Sequence, residues 1–339
     1  MLAVKHVAPR KAEVIEMEDP EVTPGHVVVR MKAGGICGSD LHIYRREPWQ
    51  FSKVLGHEPC GVVESVGEGV THLNAGDRVT VYHYESCGHC QPCRQGYKFW
   101  CDVPEAKKAP GWHITGSCAE KVLIKAENAL KLPDDLTFDD GALIACGAGT
   151  AYSALRKLHP NAEDSVTIIG LGPIGLCLVR MFKAHGCRVF AVGRRQARLD
   201  LAEAFGADTL IDIDREDDPS GVVKQTLPGG TNLAVETSGK PEGQRQMLAS
   251  LSRGARCATI GIGTREPAVN LGRITGSEIT IYGSYVLNFG LYEDLCRFMI
   301  NSELKLDRVV THRIPYSEGT EAFALADQGD AAKVVLTSE

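Results

Sequence analysis

From Ser165 onward, short runs of aliphatic and β-branched residues alternate with longer stretches whose apolar positions recur at helical spacing. SVTIIG leads into a helix from about Ile174 to Ala184, and RVFAVG leads into a helix over RQARLDLAEAFG. DTLIDI, NLAVET, RCATIG and EITIYG follow, with helical stretches between several of them. Six short apolar strands joined by crossovers predict a doubly wound parallel sheet, covered on both faces. The first 150 residues have another texture. HVVVRMKAGGI, GVVESVG and DRVTVYHY are β-branched runs punctuated by glycine and Asp, and few long helical periods appear. This half reads as a β-rich domain of irregular barrel type. Near Gly141 the pattern changes: GALIACGAGTAYSALRKL brings apolar residues to helical spacing and ends basic, which predicts a helix over its second half. After Ser284 two amphipathic segments, GLYEDLCRFMINSEL and EGTEAFALADQ, precede a closing strand, KVVLTS. The expected division is 1–150, 151–284 and a C-terminal segment 285–339 that returns to the first domain.

Composition changes this picture little. The 339 residues are 43% hydrophobic and 24% charged, which fits two ordinary globular domains. The net charge of −6 argues against nucleic acid or an anionic membrane as the main partner. The longest apolar stretch, VTIIGLGPIGLCLV, runs about fourteen residues and is broken by glycine and proline, too short to span a bilayer. The N-terminal MLAVKHVAPRKAEVIE has no apolar core of a signal peptide. Cytoplasm is the expected location, where thiols stay reduced.

Four of the twelve cysteines fall within ESCGHCQPCRQGYKFWC, as Cys87, Cys90, Cys93 and Cys101. Four thiolates fill every corner of a tetrahedral zinc and leave no place for water or substrate. Gly88, Pro92 and Gly96 supply the turns that would bring the thiolates inward. The lobe at about 85–103 is therefore expected to hold structural zinc, with a disulfide pair or an iron–sulfur cluster as the alternatives. Chemistry must be sought elsewhere.

SVTIIGLGPIGLCL places Gly170, Gly172 and Gly175 in G-x-G-x-x-G, with Pro173 and Ile174 opening the helix. The motif follows a strand and lies in a βαβ unit, the context for a dinucleotide pyrophosphate at a helix N-terminus. NAD sites usually carry an acid at the end of the second strand. Here Gly193 stands there, followed by Arg194 and Arg195. The missing carboxylate and two guanidiniums point to NADP, although arginines at a helix start are often merely solvated.

Cys37 in GGICGSDLH, His57 in LGHEPCG and Cys146 in IACGAGTAYSAL come from separated segments. Two thiolates and an imidazole can make an open zinc site with a free fourth corner; a lone buried cysteine is otherwise just a small apolar residue. In order along the chain, CGSDLH, GHE, the four-cysteine lobe, CGAGTAYSAL and GLGPIG resemble the zinc-containing medium-chain alcohol dehydrogenase family over nearly its whole length. The resemblance implies a GroES-like catalytic domain joined to a Rossmann domain. It implies catalytic zinc on Cys37, His57 and Cys146, with Glu58 beside the metal, either as a neighbour of its ligands or as an exchangeable ligand. Many polyol dehydrogenase relatives carry Glu-Pro where this chain has Cys146-Gly147, so on that feature it sides with the alcohol dehydrogenases.

The implied activity is hydride transfer between an alcohol carbon and NADP(H), through an alkoxide made accessible by zinc as a Lewis acid. Ser39 is placed to carry the alcohol proton, and by resemblance His42 continues that relay to solvent. Asp40 is suited to accept an N–H from His57 and fix which nitrogen meets the metal. Each has a plainer reading, as a turn serine, a surface histidine and a capping Asp. Thr150 resembles a residue packed against the nicotinamide ring. Gly38 stands where some members carry an arginine that reaches the cofactor phosphates, which leaves Lys333 or another basic group as the candidate. By resemblance Trp49, His83 and Trp112 line the substrate pocket, with His113 nearby. The histidines and Tyr84 favour a polar alcohol, of polyol or sugar-derived type. The expected cofactors are two zinc ions per chain and NADP, and the expected partners are a small alcohol or carbonyl compound and further copies in a homodimer or homotetramer. The rival readings are an NAD-dependent polyol or sugar dehydrogenase of the same fold and a non-catalytic zinc-ribbon binding protein.

Overall fold

The computed structural model describes residues 1–48, 54–263 and 269–338. Trp49 lies outside them. Two compact units account for the chain. The first comprises Met1–Cys146, Asn288–Asn301 and Lys305–Glu339; the second comprises Gly147–Leu287 and Ser302–Leu304. Among the described residues no helix is long and apolar enough to cross a membrane.

In the first unit a seven-stranded sheet is built around His26–Ile36, the strand that the HVVVRMKAGGI run predicts. Glu58–Val66 and Lys121–Lys125 pair with it antiparallel, and so does the closing strand Val334–Thr337. The C-terminal segment is thus woven into the first unit by main-chain hydrogen bonds. Alternate residues of these strands and of Arg78–Val81, among them Val27, Val29, Met31, Val79, Val81, Val122 and Ile124, face one apolar core. A separate hairpin, Leu2–Ala8 with Lys11–Glu16, was not marked by the sequence pattern.

The second unit is a six-stranded sheet, parallel throughout. Its order is Thr209–Asp212, Arg188–Gly193, Ser165–Ile169, Thr231–Glu236, Leu251–Thr259 and Thr280–Gly283. In sequence terms this is 3-2-1-4-5-6, the doubly wound order in which ligands bind at the carboxyl ends of the strands. Ser165–Ile169 is buried at every position, which is why it reads as a continuous apolar run and not as an alternating one.

The region around Gly141 differs from expectation. Both halves are helical, Phe138–Ala145 and Gly147–Leu158, separated only by Cys146. Thr137 caps the first helix by accepting from Asp140 N, while Asp140 accepts in return from Thr137 N. Seven consecutive residues of that helix, Asp139 to Ala145, are buried, so no polar face marks its period in the sequence.

Candidate metal centre and cofactor turn

Strand and helix ends bring four separated side chains together in the first unit. Cys37 follows the strand His26–Ile36 and caps the short helix Gly38–Tyr44. His57 immediately precedes the strand Glu58–Val66, of which Glu58 is the first residue. Cys146 sits at the break between two helices, with φ of −141° and ψ of −71°. One donor atom from each of Cys37, His57, Glu58 and Cys146 lies within 4.8 Å of the others.

The donor set fits zinc. The Cys37 and Cys146 sulfurs are 3.9 Å apart. Two thiolates each about 2.3 Å from one tetrahedral zinc stand about 3.8 Å apart. Asp40 accepts from the His57 ring, Nδ1 to Oδ1 at 2.9 Å, and its other oxygen accepts from Cys37 N at 2.8 Å. That bond keeps the proton on Nδ1 and leaves Nε2 available to a metal. Ser39 Oγ lies 3.4 Å from that nitrogen. His42, three residues further along the same helix, is exposed.

Electrostatics follow the crowding. The neighbouring Cys146 thiol holds Cys37 well below its ordinary value, against the effect of burial. Burial alone would lower the His57 imidazole, but the charges of Asp40 and Cys37 lift it well above the usual range. Burial pushes the Glu58 carboxyl up to about 7, opposed by Lys333. The Lys333 ammonium ion-pairs with Glu58 and donates to Ile36 O at 3.1 Å, with 1% of its side chain exposed. Glu58 and Lys333 are thus a buried ion pair, and after burial the charge of Lys333 is the largest influence on the Glu58 carboxyl. The expected phosphate contact by Lys333 is therefore corrected: its charge is buried against Glu58, and sequence gave no signal for that pairing.

Around His57 stand His83, with ring centroids 5.2 Å apart, and Trp112, at 5.0 Å. Tyr84 packs on His83 at 4.7 Å. His113 is not brought to this cluster. A tight turn folds it back so that its Nδ1 accepts from Ala109 N at 3.2 Å, and the exposed ring lines a separate cavity of about 620 Å³ with Lys5, Met17 and Leu123.

The second cysteine group is also assembled. Cys87, Cys90, Cys93 and Cys101 place their sulfurs within 4.8 Å of one another, and all are free thiols. Backbone hydrogen bonding at Asp102 lowers the Cys90 thiol to about 6, whereas burial raises Cys93 to about 12. The lobe is fastened by Asn288 Nδ2 donating to Gln95 O and by Phe289 N donating to Gly96 O. Gly96 has φ of +82°, and a Cβ there would meet Asn288 Oδ1, so only glycine fits.

In the second unit Gly170 turns the chain out of Ser165–Ile169 with φ of +97°, and Gly172 and Pro173 open the helix Pro173–Ala184. Gly175 packs against Gly170 O so closely that a Cβ would stand 1.9 Å from it. Ile174 lies in the first turn of that helix, where backbone N–H groups have no intrahelical partner. Sequence reading missed the brace beneath this turn: Thr237 Oγ1 donates to Ile169 O and Gly170 O, at 3.0 and 2.9 Å. Thr150 is buried in the helix Gly147–Leu158.

Gly193 ends its strand with a packing reason of its own: a Cβ there would stand 2.6 Å from Leu171 Cγ. Arg194 is half-exposed, with Nε 3.8 Å from Asp214 Oδ1. Arg195 has φ of +75° and ψ of 115°, a sparsely populated region for a residue with a β-carbon.

Comparison with known proteins places these features. Residues 23–134 match the alcohol dehydrogenase GroES-like domain, and residues 173–301 match the zinc-binding dehydrogenase domain. The zinc-type alcohol dehydrogenase-like protein YphC of Escherichia coli K12 is 32% identical, over 93% of this chain and 92% of its own. An alcohol dehydrogenase of Geobacillus stearothermophilus is 34% identical over 81% of each. The L-threonine 3-dehydrogenase of Anaeromyxobacter sp. Fw109-5 is 32% identical over 97% of this chain and 98% of its own.

Among solved structures, alcohol dehydrogenase TADH from Thermus sp. ATN1 superimposes with a TM-score of 0.91, at 27% identity and full coverage of both chains. RspB from E. coli CFT073, complexed with NADH, gives 0.88 at 30% identity over 99% of each. A zinc-binding dehydrogenase from Sinorhizobium meliloti 1021, bound to NADP, gives 0.88 at 26% identity, over 99% and 98%. The chain belongs to the zinc-containing medium-chain alcohol dehydrogenase family, with a GroES-like domain and a Rossmann domain, and is an oxidoreductase of zinc and a nicotinamide cofactor.

Proposed function

We propose that this enzyme moves a hydride between the carbinol carbon of a polar alcohol, of polyol or sugar-derived type, and NADP(H). The observation that carries the reading is the convergence of Cys37, His57, Glu58 and Cys146 donor atoms within 4.8 Å, walled by His83 and Trp112. When bound, zinc would supply a Lewis acid that makes the alcohol proton labile, and a nicotinamide cofactor would supply the hydride acceptor. Cys37, His57 and Cys146 hold the metal, and Glu58 stands by as an exchangeable ligand. Asp40 fixes the His57 tautomer through the 2.9 Å bond. The Ser39 hydroxyl accepts the alcohol proton as it gives up its own toward His42, at i+3 on the same helix face, which releases a proton to solvent. Cys87, Cys90, Cys93 and Cys101 hold a second zinc that fixes their lobe.

The glycine turn at Gly170, Gly172, Pro173, Ile174 and Gly175 receives the pyrophosphate, and Thr150 faces the nicotinamide. Arg194 and Arg195 pair with a 2′-phosphate, because Gly193 offers no carboxylate to repel it. One observation favours a second reading, in which NAD is used: Asp214 is 3.8 Å from Arg194 and partly offsets its charge. Assembly as a homodimer or homotetramer is consistent with the sheet ending at Thr280–Gly283, an edge strand with Ile281 exposed. A cytoplasmic location suits the twelve free thiols. The test is a panel of monohydric alcohols, polyols and sugars, followed at the reduced-nicotinamide absorbance with each cofactor. Turnover of polyols with NADP supports the reading. Turnover of apolar alcohols alone, or with NAD alone, contradicts it.

A further inference from the structure

His83 follows the strand Arg78–Val81 and is 1% exposed. Its Nδ1 is 2.7 Å from Ala145 O. A carbonyl oxygen can only accept, so Nδ1 carries the hydrogen of this bond. In the neutral ring the remaining nitrogen, Nε2, is then a lone-pair acceptor. That atom is buried and has no hydrogen-bond partner. A buried acceptor left unpaired forfeits its hydration with nothing in return, so native folds rarely keep one without a use.

Its surroundings indicate the use. Ala145, which holds Nδ1, precedes Cys146, and the His83 ring packs edge-on against His57 at 5.2 Å. Trp112 stands 6.3 Å away on another side, and Tyr84 is tilted against the ring at 4.7 Å. The ring is thus held at Nδ1 by Ala145, which adjoins Cys146, and packed against His57, so its unpaired Nε2 lies beside the proposed metal-holding residues.

We propose that His83 is a specificity-determining residue, whose Nε2 accepts a hydrogen bond from a second donor group carried beside the reacting carbinol. The inference rests on the metal-centred reading of Cys37, His57 and Cys146, and it narrows the substrate to alcohols with a hydroxyl on the neighbouring carbon. A monohydric alcohol leaves the acceptor unpaired in a dry site; a vicinal diol or polyol satisfies it. Sites built to bond a substrate hydroxyl discriminate steeply against analogues that lack it. An amino alcohol offers N–H donors of the same general kind, so the two donors must be compared directly.

The experiment uses the zinc-loaded enzyme with three probes that share one carbinol: propane-1,2-diol, 1-aminopropan-2-ol and propan-2-ol. In the wild type, kcat/KM for the diol is expected to exceed that for propan-2-ol by about tenfold or more. In His83→Phe, which keeps a ring and removes the acceptor, that ratio collapses toward one; in His83→Gln, which restores an acceptor, part of it returns. Independently of turnover, long-range 1H–15N spectra should show the His83 Nε2 resonance as an unprotonated nitrogen that shifts when the diol is added without cofactor. An unchanged ratio in His83→Phe, or an Nε2 signal that ignores the diol, overturns the proposal. A wild type that favours the amino alcohol over the diol overturns the hydroxyl assignment. If no probe is oxidised while the diol still moves Nε2, the dehydrogenase reading fails and the acceptor role stands. Should the variants fail to fold, the wild-type spectrum decides alone.

Discussion

At Asp40 one carboxylate serves two neighbours, the His57 ring and the Cys37 backbone N–H. Metal-binding histidines depend on such a partner for tautomer and orientation, and its loss typically costs 10- to 100-fold in metal affinity. Asp40→Asn keeps the size and one acceptor oxygen but cannot serve both neighbours as a carboxylate does. It is expected to weaken zinc binding at one site by about tenfold or more, with helix content unchanged. Competition against a chelator measures this; an unaltered affinity would mean that Asp40 acts only as a helix cap. Residues of this kind were legible where short motifs carry them, as with Cys37 and Asp40 in CGSDLH. Lys333 was not, because the partner of a buried lysine is decided by packing between distant parts of the chain. The same limit applies to Gly193, whose missing side chain serves packing against Leu171 whatever the cofactor.

Among the elements, the turn after Arg188–Gly193 is where the proposed preference for NADP is to be tested. Arg194→Ala should lower kcat/KM for NADP by about ten- to a hundredfold, since a partly exposed phosphate–arginine contact is worth about 1.5–3 kcal/mol. Values for NAD should change little. An equal fall for both cofactors would show that Arg194 supports the turn and does not read the phosphate. Gly193→Asp is a poor test, because its Cβ would collide with Leu171. The N-terminal hairpin carries a pH effect. Burial holds the His6 imidazole below its ordinary value of 6.5, against the backbone groups of Ala8 and Tyr44, which pull it up. The unfolded chain therefore binds the proton more readily, so stability falls as pH drops below 6.5 toward the folded value and is fully present above it. His6→Leu should flatten the loss of Tm between about pH 7 and pH 5; an undiminished slope would place the effect elsewhere. The parallel strands were readable because burial on both faces makes them continuous apolar runs. The helix Phe138–Ala145 was not, since complete burial erases the polar face that reveals a helix.

For the molecule as a whole, the dense cysteine cluster was the more conspicuous, and the sparse trio is the one proposed to serve catalysis. Spacing alone revealed the first, because its four thiols lie within one loop. The trio became legible only through the order of several motifs, since Cys37, His57 and Cys146 are joined by folding and not by proximity in sequence. On the proposed reading, two zinc sites with different duties should respond differently to damage. Filling all four corners with thiolates makes the lobe's zinc part of the folding free energy. An open site instead bears mainly on turnover. The most direct test is elemental zinc analysis of the wild type, Cys146→Ala and Cys93→Ala, with thermal unfolding and activity measured on the same samples. The account predicts about two zinc ions per wild-type chain. Cys146→Ala should lose about one of them and nearly all turnover while staying folded, whereas Cys93→Ala should lose the other and unfold or aggregate. A wild type with a single zinc that survives Cys146→Ala would contradict the assignment of Cys37, His57 and Cys146 as the catalytic metal site.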